Sequence, residues 1–62
     1  MKTQIITKKF NGTTLTAYIM SDADGAMLDM NGWDRQYFKT VAQAKARATK
    51  MFATEIDNLK YA

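Results

Sequence analysis

The side chains of this 62-residue chain best suited by type to do chemistry are four aspartates, Asp22, Asp24, Asp29 and Asp34. Carboxylates at close spacing can divide general acid and general base work, and they can ligate a hard cation. The pairs to consider are Asp22 with Asp24 and Asp29 with Asp34. A calcium loop needs a further acidic ligand and a distal glutamate at fixed spacing, and the stretch Ser21 to Gly25 (SDADG) has neither. Nothing beside either pair predicts a raised pKa. The chain has no histidine and no cysteine. That removes hydrolase triads, thiol chemistry, disulfides and the usual zinc ligands. No phosphate-cradling glycine loop is present. The expectation is a protein that is not an enzyme, with no metal and no cofactor, whose aspartates serve turns and solubility.

The cations are the other candidates. Formal net charge is +3, but it is unevenly spread. Residues 1–20 carry Lys2, Lys8 and Lys9 and no acid, and residues 21–34 carry only the aspartates. Residues 35–53 carry Arg35, Lys39, Lys45, Arg47 and Lys50 and no acid. Two sets could meet phosphates: Lys2, Lys8 and Lys9 with Tyr18, or the strip Arg35, Lys39, Arg47 and Lys50. A basic strip such as Arg47 and Lys50, with Lys39 and Lys45 nearby, is more often a solvated face than a binding site.

These residues must be positioned by one long element. Thr40 to Lys60 (TVAQAKARATKMFATEIDNLK) has helical periodicity without Gly or Pro, and it is rich in alanine. Val41, Ala44, Ala48, Met51, Phe52 and Leu59 gather in one stripe, with Ile56 at its edge. Lys45 and Glu55 are expected at its rim. Thr40 with Gln43 fits a capping box, in which each side chain bonds the other residue's amide.

Thr3 to Phe10 and Thr13 to Met20 read as strands, and Asn11-Gly12 between them is the strongest short-range hairpin signal. A two-residue loop there places residues whose numbers sum to 23 opposite each other. One face then holds Ile6, Phe10, Leu15, Ala17 and Ile19, with Gln4, Lys8 and Thr13, and should meet the helix. The other holds Thr3, Ile5, Thr7, Lys9, Thr14, Thr16, Tyr18 and Met20. A slip of one residue would exchange the faces.

Ala26 to Met30 reads as a third strand. Asn31-Gly32 signals a second turn, and Trp33 to Phe38 reads as a fourth strand or an extended lead into the helix. A tight second hairpin would set Asp29 against Asp34, a like-charge pair that sheets disfavour. Either the turn is looser or both aspartates face water. Trp33 and Tyr37 are expected to cover the sheet edge or the helix base, with Trp33 alternatively an exposed anchor, and Phe38 belongs to the core. The sum is one α+β domain over residues 1–62. Three or four antiparallel strands, hairpin first, carry one C-terminal helix across one face.

Tyr37 to Lys45 (YFKTVAQAK) resembles the strand-to-helix junction of the small arm-type DNA-binding domains of tyrosine recombinases. It is also similar to a pattern in short bacteriophage and prophage proteins. The first resemblance implies a three-stranded sheet on one C-terminal helix, with DNA read by the open sheet face. Phosphate contact by such a face needs several Arg or Lys, and here it offers Lys9, with Lys2 and Arg35 at its borders. The junction is also similar to that of double-stranded-RNA-binding domains, but Val41-Ala42-Gln43 stands where their lysines would be.

Two functions follow as expectations. The first is a protein-binding module of phage type, an accessory or inhibitor protein. It would engage a host protein or a second copy of itself through Ile5, Thr7, Thr16, Tyr18 and Met20. The second is nucleic-acid binding through Lys8, Lys9, Arg35, Lys39, Arg47 and Lys50, with Lys2 beside them. No apolar run is long enough to span a membrane and the first ten residues lack a signal-peptide core, so the expected location is the cytoplasm, of the host if the source is a phage.

Overall fold

The structure is a computed structural model that describes residues 1–61. It has four strands, β1 (Lys2–Phe10), β2 (Thr13–Asp22), β3 (Gly25–Met30) and β4 (Gln36–Phe38), followed by one helix, α1 (Val41–Tyr61). The strands form a single antiparallel sheet in sequence order, β1-β2-β3-β4. The chain is therefore a two-layer α+β unit, a sheet covered on one face by a helix.

The first hairpin is set by its turn. Asn11 and Gly12 both have positive φ, 48° and 79°, as a type I′ turn requires. Phe10 then pairs with Thr13, and the ladder runs to Lys2 opposite Ser21 with every pair summing to 23. The second turn is equally tight: Asp22 pairs with Gly25, and the Asp24 amide donates to Asp22 Oδ1 at 2.8 Å. Gly25 is needed there for space. A Cβ at that position would lie 2.6 Å from the Phe38 carbonyl oxygen.

The third turn is the looser of the two alternatives. The Trp33 amide donates to the Met30 carbonyl at 3.0 Å, with Gly32 at φ 86°. Pairing resumes only at Leu28 with Gln36. Continuing that register, Asp29 falls opposite Arg35 rather than Asp34, and the two form a surface ion pair at 3.6 Å. The fourth strand is thus shorter than the stretch Trp33 to Phe38.

The core is Ala17, Ile19, Ala26, Leu28 and Met30 from the sheet and Ala44, Ala48, Met51 and Phe52 from the helix. The alanines bring backbone close to backbone, and Ile19, Leu28 and Met51 fill the space between. Ile6, Leu15, Trp33, Phe38 and Val41 close its margins. The predicted inward face of the hairpin is the buried one.

Width limits what the helix can cover. A helix is about 10 Å across, whereas four strands at about 4.8 Å spacing put the outer axes roughly 14 Å apart. α1 packs on β2, β3 and β4. On β1, Ile6 and Phe10 are half-buried, while Gln4 and Lys8 remain exposed on the same face. Lys60 Nζ lies 5.8 Å from the Phe10 ring centroid, in range of a cation–π contact. The last turns of α1 are solvated: Leu59, expected in the stripe, is exposed.

At its start, α1 is capped by Thr40, whose Oγ1 accepts from the Gln43 amide at 3.2 Å. The return bond differs from a capping box. Gln43 Oε1 accepts from the Lys39 amide at 3.1 Å, one residue earlier than expected. The Gln43 side chain therefore ties the exit of β4 to the first helical turn.

Candidate protein-contact surface

The face of the sheet turned away from α1 has no covering element among the described residues. Registers across three strand pairs define its rows. Ile5 lies opposite Tyr18, and Tyr18 opposite Asp29. Thr3 lies opposite Met20, Met20 opposite Met27, and Met27 opposite Tyr37. Thr7 lies opposite Thr16, and Lys9 opposite Thr14. All five residues expected to form a protein contact, Ile5, Thr7, Thr16, Tyr18 and Met20, sit together on this face.

The two apolar rows are exposed to a degree unusual for such side chains. Ile5 is 63%, Tyr18 44% and Tyr37 74% accessible, and Met20 and Met27 are half-buried. Met1 and Met27, with Met20 and Tyr37, also line a shallow hollow of about 340 Å³. Asp22, Asp24 and Gly25 form one rim of this hollow. Thioethers and aromatic rings on an open surface adapt to a partner's shape and bury large areas, and both are enriched in protein interfaces.

Met27 and Tyr37 were missed by sequence reasoning, although a signal existed. In Ala26 to Met30, Met27 and Asp29 have the opposite parity to Ala26, Leu28 and Met30. If the more apolar set faces the helix, Met27 must face outward. The same alternation against Phe38 turns Tyr37 outward. Tyr37 is thus on the edge strand and borders the groove beside the start of α1, but at 74% accessible it leaves most of its ring in solvent rather than covering either.

Trp33 does take that role. It is half-buried against the core, and its Nε1 donates to Glu55 Oε1 at 2.8 Å. Glu55 holds the rim position expected of it, with the indole as its partner, whereas Lys45 is exposed. Trp33 is accordingly a brace between the third turn and α1, not a free anchor.

The two aspartate pairs differ: Asp22 and Asp24 border the same hollow, whereas Asp29 is matched with Arg35 rather than Asp34. Asp22 accepts its turn amide, and Asp29 meets Arg35. No group of three or more His, Cys, Asp or Glu converges on a point among the described residues.

The cations form no single track. Lys8 and Lys9 point to opposite faces of β1 by strand alternation. Arg35 is engaged by Asp29 on the open face. Lys39, Arg47 and Lys50 do come together, around a groove of about 570 Å³ between the end of β4 and α1. Gln36 organises part of it. Its Oε1 accepts from Arg47 Nε at 3.1 Å, and its Nε2 lies 3.5 Å from Met51 Sδ.

Comparison with protein-family models, with curated proteins and with solved structures found no match to this chain. No helix among the described residues is long and apolar enough to cross a membrane.

Proposed function

We propose that this chain is a non-enzymatic protein-binding module that acts by occupying a surface of another protein, as an accessory or inhibitor protein does. The observation that carries this reading is the continuous apolar set Ile5, Tyr18, Met20, Met27 and Tyr37 on the uncovered sheet face, of which Ile5, Tyr18 and Tyr37 are exposed and the methionines half-buried. Stability does not call for it. A wet sheet face is satisfied by threonine, as the rows of Thr7, Thr16 and Thr14 illustrate. Five large apolar side chains gathered at one end are the composition of an interface core, and the threonines and the Asp29–Arg35 pair supply a polar rim.

Nucleic-acid binding has less support from the same geometry. A sheet that reads phosphates needs several cations on its open face. Here Lys9 and the Asp29-paired Arg35 are its basic residues beyond the terminal strand positions. Lys39, Arg47 and Lys50 border a groove in the other layer.

The test compares wild type with Tyr18→Ala and Ile5→Asp. Sedimentation velocity reads self-association, and photo-crosslinking from residue 7 reads a different partner. Loss of association with an unchanged circular dichroism spectrum is the expected result. Unfolding of both variants would mean the faces are reversed, and unchanged association would remove the open face from the interface.

A further inference from the structure

The groove between β4 and α1 has features that the open face does not explain. Lys39, Arg47 and Lys50 border it together with Tyr37, Phe38 and Gln43, and no carboxylate lines it. The ion pair found among the described residues is Asp29–Arg35, which lies elsewhere. Arg47 is also pre-positioned. Gln36 accepts from its Nε, which leaves the outer guanidinium nitrogens for a ligand. The first turn of α1 carries no acidic residue, so the positive end of the helix dipole is not offset there.

From this juxtaposition, we propose that the groove binds an extended acidic peptide segment of a partner protein, laid along the free edge of β4 with its carboxylates on Lys39, Arg47 and Lys50. This rests on the protein-binding reading above and gives the partner its chemistry.

Three observations select a short peptide over a polyphosphate. First, β4 is a short edge strand with no strand on its outer side among the described residues, although the Lys39 amide beyond it is already bonded by Gln43. Second, the cationic track is short. Beyond Lys50 the exposed side of α1 continues through Thr54, Asp57 and Asn58. Third, Tyr37 and Phe38 also line the hollow whose rim carries Asp22 and Asp24. A nucleic-acid backbone crossing Tyr37 would run from cations onto carboxylates. A peptide can place acidic residues at Lys39, Arg47 and Lys50 and an apolar residue against Tyr37.

The experiment titrates the isotope-labelled full chain, observed by amide NMR, with an acetylated eight-residue peptide alternating Glu with Thr and Val. The same peptide with Gln for Glu, an eight-residue oligothymidylate and inorganic phosphate are titrated in parallel. The expected result is movement of the amides of residues 36–39 and 43–50 with the Glu peptide alone. Arg47→Glu with Lys50→Glu should weaken that binding by about tenfold or more while the spectrum stays that of a folded chain, because two attractive contacts are replaced by two repulsive ones. The proposal is overturned if no amide moves, if the oligonucleotide or phosphate moves the same amides at equal charge concentration, or if the movement centres on Lys2, Lys8 and Lys9. Lys8→Glu, on β1 and outside the groove, should leave the titration unchanged, while the open face is tested separately by the association of Ile5→Asp and Tyr18→Ala. Failure of the groove and failure of the open face are therefore read from different residues.

Discussion

Removing the bond between Trp33 and Glu55 should cost a measurable part of this domain's stability. The indole Nε1 donates to Glu55 Oε1 at 2.8 Å across 22 residues of chain. It joins the third turn to the helix, a contact that no backbone ladder supplies. A hydrogen bond to a charged acceptor contributes about 1.5–3 kcal/mol, and both partners here are half-exposed, so water replaces part of it. Trp33→Phe, which keeps a ring but deletes the donor, should destabilise by about 1–2 kcal/mol. In a domain of this size that corresponds to a fall in Tm of about 4–8 °C per kcal/mol. The assay is urea unfolding followed by far-ultraviolet circular dichroism on wild type, Trp33→Phe, Glu55→Ala and the double variant. A coupling energy of about 1 kcal/mol is expected from the cycle. Additive single effects would show that the indole contributes packing alone and would refute the brace.

Gly25→Ala sets a Cβ 2.6 Å from the Phe38 carbonyl oxygen and should destabilise by about 1–3 kcal/mol, read by the same unfolding assay. Gly12→Ala meets nothing within 4 Å, so its cost should be limited to that of the positive φ, about 1–2 kcal/mol. Leu28→Ala, at a fully buried position, should cost about 2–5 kcal/mol and leave much of the chain unfolded at 25 °C, whereas Ile5→Ala on the open face should cost under about 1 kcal/mol. Equal effects from these two would contradict the assignment of the faces. Fluorescence anisotropy with labelled duplex DNA at about 50 and 200 mM salt should show no salt-sensitive binding, because a few phosphate contacts would make affinity fall steeply over that range.

The hairpin was legible because one dipeptide fixes three things at once. Asn11-Gly12 selects the turn type, the turn sets the register, and the register decides which side chains face the helix. The helix was legible for a related reason: capping at Thr40 and the stripe through Ala44, Ala48, Met51 and Phe52 agree. The third turn was not, since Asn31-Gly32 permits several loops. The Trp33 amide bonding back to Met30 and the ion pair of Asp29 with Arg35 together settle it, and both depend on tertiary placement. The partial cover of β1 was hidden as well. It follows from the width of one helix against four strands, which no local pattern encodes. Of the candidate surface, the part on the hairpin was readable from its register. Met27 and Tyr37 required the alternation of β3 and β4 to be placed beside it.

The bareness of β1 bears on how its lysines should be read. An edge strand of nine residues without proline or bulge is a template for pairing with another copy of itself. Charged residues on such an edge oppose that pairing, lysine above all. β1 carries Lys2, Lys8 and Lys9 and no acid, with Lys8 on one face and Lys9 on the other. An antiparallel pairing of two β1 strands centred between Ile5 and Ile6 would set Lys2 against Lys9 twice, and a register one residue shorter would set Lys2 against Lys8. These lysines therefore have a structural role that needs no phosphate. The lysines and arginine of the β4 groove have no comparable duty, because β4 is only three residues long and offers little edge to protect. At β1 lysine guards a long edge, whereas at β4 the cations of Lys39, Arg47 and Lys50 are left for a ligand, and a peptide there would be held by charge more than by backbone pairing.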